Sequence, residues 1–140
     1  MQLRNVTIDD VSAVADLITQ LGYRTTADQM RDRLASLMSD PAYGTLVAEI
    51  GDRVVGMIGL RMDRGHEYDG VLGRIVALVV DESARGKGTG RSLVEAGERW
   101  ARQRGARKLM VSTANHRTRT HEFYRALGYE MTGLRFVKPL

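Results

Sequence analysis

The segment 75–92 constrains the fold of this chain more than any other. It begins with an apolar run, Ile75–Val80, that stops at an acidic turn. Three glycines follow, at positions 86, 88 and 90. Beyond them the small and apolar residues recur with a helical period, at Leu93, Ala96, Gly97, Trp100 and Ala101. The segment therefore predicts a strand, a glycine-rich loop and a helix in direct succession.

This succession predicts a binding site for a ligand that carries phosphate. The first turn of a helix offers backbone N–H groups without intrahelical partners, together with the positive end of the helix dipole. Glycine allows positive φ and leaves those N–H groups open to a phosphate. Arg85, Lys87 and Arg91 add positive charge to the same loop.

Two common phosphate-binding motifs do not fit this loop. A P-loop requires G-x-x-x-x-G-K-[ST], and the dinucleotide fingerprint G-x-G-x-x-G needs one residue more than the loop has. The pattern that fits is [Q/R]-x-x-G-x-[G/A], met by Arg85, Gly88 and Gly90. At these residues the sequence resembles the GNAT superfamily of acyl-CoA-dependent N-acyltransferases. In that family the loop wraps the pyrophosphate of coenzyme A.

A second block, residues 115–129, strengthens the resemblance. The family signature F-Y-x-x-L-G-[FY] is met by Phe123, Tyr124, Leu127, Gly128 and Tyr129. Before it, Asn115-x-Arg117-x-x-x-His121 resembles a form common among small bacterial members, with Thr120 in place of their usual alanine. The resemblance extends over the whole chain.

The rest of the chain supplies further strands and helices. Capping boxes at Thr7 and at Thr25/Thr26 predict the starts of two helices, which end near Leu21 and at Asp40. Apolar patterns predict a fourth helix at 118–127 and strands at 2–6, 45–50, 54–62, 72–80, 108–113 and 130–137. The order β-α-α-β-β-β-α-β-α-β predicts an α/β (α+β) fold with a mixed sheet. The resemblance implies a GNAT fold of about six to seven strands and four helices, in a single domain over residues 1–140.

The resemblance also implies roles for individual residues. An amine would attack the thioester carbonyl of acetyl-CoA directly, with the Val80 N–H as oxyanion donor and Tyr124 as the general acid for the CoA thiolate. Asn115 would bind the pantetheine region or a water, and His121 would orient its helix or line the cofactor site. The implied cofactor-binding set is Leu78, Val79, Val80, Arg85, Gly86, Lys87, Gly88, Thr89, Gly90, Arg91, Ser92, Asn115, His121 and Tyr124.

The general base stays open from the sequence. A protonated amine cannot attack, so a carboxylate or an ordered water must remove its proton. Glu67, in the acidic connection 63–70, is the candidate side chain. The alternative is that this connection is a solvated loop and that water serves as the base.

Composition excludes several other kinds of site. The chain has no cysteine, which excludes disulfides, zinc–thiolate centres and a cysteine nucleophile, and we expect no metal. The N-terminus lacks the apolar region of a signal peptide and no apolar run could span a membrane, so a cytoplasmic location is expected. Residues 1–84 carry a net charge of −5 and residues 85–125 one of +8, which suits a polyanionic cofactor. Five of the basic residues equally fit a solvated surface: Arg99, Arg102, Arg104, Arg107 and Lys108.

Three functions follow from these observations. The resemblance implies an acetyl-CoA-dependent N-acetyltransferase for a primary amine of a small molecule or protein, plausible as a homodimer, without nucleic acid or membrane partners. The alternative is a non-catalytic acyl-CoA sensor, which would not need Tyr124 as a proton donor. A nucleic-acid-binding domain is suggested by the basic block and a pI of about 9.8, but only 6% of residues are aromatic and no recognition motif is present.

Overall fold

The computed structural model describes residues 1–113 and 118–140. The chain divides into two compact units, Met1–Met110 and Val111–Leu140. The elements in chain order are β1 Gln2–Asn5, α1 Val11–Leu21, α2 Ala27–Met38, β2 Tyr43–Ile50, β3 Arg53–Asp63, β4 Leu72–Val80, α3 Thr89–Gln103, β5 Leu109–Val111 and α4 Thr118–Ala126. Short 3-10 turns precede α1 and follow β4, at Ile8–Asp10 and Glu82–Ala84.

The strands form one mixed sheet in the order β1-β2-β3-β4-β5. The first four strands pair antiparallel, and β2 and β3 are joined by a tight turn in which Gly51 has a φ of 61°. The helix α3 connects β4 to β5, which is the long connection that a parallel neighbour requires. The mixed sheet and the four helices predicted from the sequence are confirmed, and β4 has the predicted bounds.

The predicted number of strands is wrong. Six to seven were expected, and the part of the chain that the structure describes contains five. The strand predicted at 130–137 is not found. Residues 129–140 form neither a helix nor a strand. Leu134, Phe136 and Val137 are 76%, 91% and 78% exposed. A strand forms only where a neighbouring strand pairs with it, and local alternation of residue types cannot supply that neighbour.

Both predicted capping boxes are found at helix starts. The Thr26 hydroxyl accepts from the Gln29 N–H at 3.1 Å, and the Gln29 side chain accepts from the Thr26 N–H at 2.9 Å. At the first helix, the Thr7 N–H donates to Asp10 Oδ2 at 2.7 Å, but the first turn is a 3-10 turn and α1 begins only at Val11.

An ion-pair cluster joins the start of α1 to the sheet. Arg4 on β1 donates to both carboxylate oxygens of Asp10, at 2.8 and 2.9 Å, and to Glu49 on β2 at 3.0 Å. The hydrogen bond from Arg4 is the main reason that the pKa of Asp10 lies below its ordinary value. The Asp10 side chain is therefore charged at neutral pH although the residue is only 8% exposed.

The sheet is covered on both faces. One face packs against α1 and α2, where the core contains Val14, Leu17, Leu34 and Met57. The other face packs against α3, where the Cα of Gly97 lies so close to the sheet that an added Cβ would be 3.0 Å from Ile58. No helix in the described residues is long and apolar enough to span a bilayer.

The contact between β2 and α3 depends on a glycine. A Cβ built on Gly44 would lie 2.5 Å from the ring of Trp100, which is 7% exposed. Gly44→Ala is therefore expected to lower the free energy of unfolding by about 1–3 kcal/mol through overpacking. Gly133→Ala is the matched control, because an added Cβ there meets nothing within 4 Å. Chemical denaturation of both variants measures the effect, and equal stability would contradict the prediction.

Candidate functional site

The end of β4 directs two backbone N–H groups away from β3. The Asp81 N–H donates to Val55 O at 2.7 Å, and Val79 lies opposite Met57. Hydrogen-bonded pairs alternate along an antiparallel ladder, so Val79 and Asp81 bond to β3. Leu78 and Val80 therefore direct their N–H groups to the other side of β4. These two residues are the donors that the resemblance assigns to the pantetheine and the oxyanion.

A β-bulge lies within β4. The register shifts from Gly59 opposite Ala77 to Leu60 opposite Ile75, so Val76 is the extra residue. Val76 is 45% exposed, whereas Val79 is 5% exposed and belongs to the core. A bulge increases the local twist and changes the direction of the following residues. The bulge therefore helps to set the direction in which Leu78 and Val80 present their N–H groups.

Asp81 organises the turn that follows β4. Its carboxylate accepts from the hydroxyl and the N–H of Ser83, from Gln20 Nε2 at 2.7 Å and from Arg53 Nη2 at 2.9 Å. The hydrogen bonds from Ser83 and then Gln20 are the main causes of its pKa lying well below the ordinary value for aspartate. Asp81 therefore stays ionised at neutral pH and fixes the 3-10 turn before the glycine loop.

The glycine loop ends at an uncapped helix N-terminus. Gly88 is the N-cap of α3, and no side chain of the described residues caps this end. The first helical bond runs from the Ser92 N–H to Gly88 O at 3.0 Å. The N–H groups of Thr89, Gly90 and Arg91 therefore have no intrahelical acceptor and are directed out of the helix end. The structure thus contains the strand, glycine loop and open helix N-terminus that the sequence predicts, and the binding of an anion there stays a prediction.

Two glycines of the loop have backbone conformations that other residues rarely adopt. The φ angles are 78° at Gly86 and 82° at Gly88, and a Cβ added at either position would meet nothing within 4 Å. Packing therefore does not require glycine here. Positive φ requires it, and the empty space leaves the backbone open to a ligand.

The other residues predicted for the loop differ in exposure. Lys87 is exposed, Arg85 Nε donates to Val80 O at 3.0 Å, and Arg91 pairs with Glu95 at 3.0 Å on the surface of α3. Thr89 is 3% exposed, so its side chain anchors the start of α3 in the core. Gly90 and Ser92 are half-buried.

The second sequence block forms α4 and its C-terminal turn. The Tyr129 N–H donates to Tyr124 O at 3.0 Å and the Gly128 N–H to Arg125 O at 3.0 Å, with a φ of 91° at Gly128. These two bonds form a Schellman motif, which usually includes a contact between its first and last side chains. Here the rings of Tyr124 and Tyr129 lie 5.6 Å apart, edge to face.

Tyr124 is buried within this aromatic group. It is 6% exposed, and the Phe123 ring lies 5.1 Å from its own. Burial raises the pKa of Tyr124 from 10.0 to about 12. The phenol is therefore protonated at every physiological pH.

The remaining predicted site residues lie away from the glycine loop in the sequence. Glu67 is exposed in the connection between β3 and β4, and His121 is half-buried on α4. Asn115 lies outside the described residues. The structure thus groups Leu78, Val80 and the glycine loop within the first unit, and it groups His121 and Tyr124 on α4 in the second.

The polar contacts around Asp81 could not be found in the sequence. Gln20 and Asp81 are 61 positions apart, and neither belongs to a motif. The same is true of Arg53, which also donates to the Ser83 hydroxyl at 3.1 Å. Only the packing of α1 and of the β2–β3 turn beside the end of β4 brings these side chains together.

An acidic depression lies beside this network, between α1 and the β2–β3 turn. Its volume is about 340 Å³, and its charged lining residues are Asp9, Asp10, Asp16, Glu49, Asp52, Arg53 and Asp81. Asp10 and Glu49 are paired with Arg4, and Asp81 with Arg53. Arginine thus compensates half of the six carboxylates. Within the described residues, no group of three or more acidic or histidine side chains is arranged to hold a metal ion.

Taken together, the mixed sheet and the succession of β4, glycine loop and α3 define an α/β protein with an uncapped helix N-terminus beside the end of β4. The sequence profile of the acetyltransferase (GNAT) family matches residues 11–129, most of the chain. The chain therefore belongs to this family, as its two motifs predicted.

Individual proteins agree with this assignment. The mycothiol acetyltransferase of Cellulomonas flavigena is 32% identical in an alignment of 116 residues that covers 79% of this chain and 33% of that protein. The aminoglycoside N(6')-acetyltransferase type 1 of Stenotrophomonas maltophilia is 28% identical over 93% of this chain and 86% of its own length. Among solved structures, the aminoglycoside N-acetyltransferase AAC(6')-Iy in complex with CoA has a TM-score of 0.88 at 18% identity, covering 99% of this chain and 93% of that one. The chain spans about a third of the length of the mycothiol enzyme.

The raised pKa of Tyr124 predicts a loss of stability at high pH. A group whose pKa is higher in the folded than in the unfolded chain contributes stability that is complete below the unfolded value of 10.0 and is lost as pH rises through about 12. The full loss is about 3 kcal/mol. Tyr124→Phe should remove this alkaline component, whereas Tyr23→Phe, at a residue 61% exposed, should keep it. Denaturant unfolding between pH 8 and 11.5 measures the difference, and parallel curves for the two variants would contradict it.

Proposed function

We propose that this chain is an acetyl-CoA-dependent N-acetyltransferase that transfers an acetyl group to a primary amine. The observation that carries the proposal is one continuous stretch of backbone. The N–H groups of Leu78 and Val80 turn away from β3, and the uncapped N–H groups of Thr89 to Arg91 follow within the same segment. A ligand with amides at one end and a pyrophosphate at the other suits such a row of donors. We also propose that residues 1–140 act as one domain.

Coenzyme A would bind along this segment. The loop N–H groups would bind its pyrophosphate, with charge from Arg85, Lys87 and Arg91, because anions are stabilised at a helix N-terminus. Leu78 and Val80 would pair with the pantetheine amides. Gly86, Gly88 and Gly90 would let the backbone approach the phosphates. Val79, Thr89 and Ser92 would help to hold that backbone in place. The family membership and the CoA complex of AAC(6')-Iy support this choice of cofactor.

The transfer would proceed by direct attack. The amine nitrogen bonds to the thioester carbonyl carbon, the carbonyl oxygen becomes an oxyanion, and the Val80 N–H stabilises it. The carbonyl then re-forms as the C–S bond breaks, and the departing thiolate takes a proton from Tyr124. The amine nitrogen loses one proton in the reaction, which balances the proton gained by sulfur.

The high pKa of Tyr124 limits how it can act. Its phenol is protonated at neutral pH, so a donor is always present. A thiol has a pKa near 8.5, so complete transfer from a phenol of pKa about 12 is uphill. Tyr124 would therefore pass its proton to the sulfur only together with the uptake of the proton that the amine releases, so that no free phenolate accumulates.

The general base has to remove a proton from the attacking amine. Glu67 is exposed in its loop, where it is open to solvent, so an ordered water is the simpler general base.

The excess of acidic residues before position 85 favours a cationic acceptor, and an aminoglycoside N-acetyltransferase is among the relatives. Asn115 and His121 would complete the cofactor site. A cytoplasmic location, a homodimer and the absence of nucleic acid or membrane partners stay predictions.

Calorimetric titration with acetyl-CoA, desulfo-CoA and ATP tests the cofactor. The wild type should bind both CoA compounds and bind ATP more weakly. Gly88→Glu should weaken CoA binding by at least 100-fold, because it places a side chain at a φ of 82° and a negative charge beside the pyrophosphate. Gly133→Glu is the matched control and should bind like the wild type. Absent CoA binding, or equal affinity for ATP, would overturn the proposal.

Tyr124→Phe separates the enzyme from the acyl-CoA sensor. Loss of a general acid lowers turnover by about 100-fold or more, whereas binding of CoA does not need the hydroxyl. Thiol release in the presence of an amine library measures turnover, and calorimetry measures the Kd of CoA. Tight binding of acetyl-CoA by a wild-type protein that acetylates none of the amines would favour the sensor.

A further inference from the structure

The side-chain amide of Gln20 contacts the connection between β4 and α3 at two points. Gln20 lies on the last turn of α1. Its Nε2–H donates to Asp81 Oδ1 at 2.7 Å, and its Oε1 accepts from the N–H of Glu82 at 3.0 Å. One amide group thus binds both the side chain of one residue and the backbone of the next.

Other contacts hold the same connection from different sides. Arg53, at the start of β3, pairs with Asp81 at 2.9 Å, and Ser83 binds the same carboxylate. Arg85 Nε donates back to Val80 O at 3.0 Å. Of these contacts, only the one from Gln20 ties the 3-10 turn to a helix on the face of the sheet.

From this geometry we infer that Gln20 is a positioning residue for the glycine loop, acting through Asp81 and the N–H of Glu82. The inference rests on the proposed function, because the loop is the site proposed for the CoA pyrophosphate. Gly86 and Gly88 follow Glu82 by four and six positions, and without side chains their backbone can change direction easily. Fixing Asp81 and Glu82 therefore restricts the directions in which the loop N–H groups can point.

The exposure of Gln20 distinguishes this role from a general contribution to folding. Its side chain is exposed and lies outside the apolar core, so its removal leaves no cavity. The two hydrogen bonds act on one connection, and their loss should lower the fraction of molecules with a correctly placed loop. Apparent affinity falls in proportion to that fraction, so a roughly tenfold rise in the Kd of CoA is expected from two such bonds.

An exchange of amide and carboxylate tests the inference. Gln20→Glu keeps the shape of the side chain but brings a second carboxylate against Asp81. Combining it with Asp81→Asn restores both bonds, because the amide and the carboxylate have changed places and the Glu82 N–H still meets an oxygen. Gln103→Glu is the matched control, since Gln103 is an exposed residue in the last turn of α3.

Calorimetry with CoA and thermal unfolding should be measured for all four proteins. Gln20→Glu should raise the Kd of CoA roughly tenfold with a melting temperature close to that of the Gln103→Glu control, and the double variant should recover most of the affinity. Equal Kd values for Gln20→Glu and Gln103→Glu would overturn the inference. So would a double variant that binds no better than Gln20→Glu.

Hydrogen exchange separates a failure of this inference from a failure of the proposed function. In the protein without ligand, Gln20→Glu should increase the exchange rate of the Glu82 N–H and of the Ala84 and Arg85 N–H groups before the loop by about tenfold, and the double variant should restore protection. If the wild type binds no CoA, the proposed function fails while the exchange rates still decide whether Gln20 positions the loop. Unchanged exchange in Gln20→Glu would overturn the positioning role whatever the ligand.

Discussion

The structure depends on the pairing of β3 with β4. β3 is buried on both faces, with Met57 in the core under α1 and α2 and Ile58 against α3. Its ladder to β4 uses the backbone of Val79 and Asp81, and this leaves the N–H groups of Leu78 and Val80 on the opposite side. A shift of one residue in that pairing would exchange the two sets. The register of a buried strand therefore determines which donors β4 can offer to a ligand.

The distribution of charge matches this arrangement. The excess of basic over acidic residues begins at the glycine loop, whereas carboxylates outnumber basic residues in the part of the chain before it. Several of those carboxylates serve the fold, since Asp10 is paired with Arg4 and Asp81 with Arg53. Ion pairs with arginine thus occupy part of the carboxylates of the first half, and the net excess of positive charge lies in the segment that begins with the glycine loop.

The second motif has a structural role that is independent of catalysis. Gly128 has a φ of 91°, and its N–H and that of Tyr129 close the last turn of α4. The pattern F-Y-x-x-L-G-Y thus describes a helix end with an aromatic contact between Tyr124 and Tyr129. A match to this pattern therefore supports the fold at least as directly as it supports a role for Tyr124 as a general acid. Measured turnover distinguishes the structural role of Tyr124 from the catalytic one.

Sequence alone determined what depends on neighbours along the chain. The cap at Thr26, the bounds of β4 and the glycine loop before α3 were predictable, because capping, alternation and positive φ are local properties. Only the tertiary structure decided the bulge at Val76, the direction of the Val80 N–H and the contact of Gln20 with Asp81. The strand expected at 130–137 was wrong for the same reason. Strand pairing and long-range hydrogen bonds join residues far apart in sequence, and a local pattern contains no information about the partner.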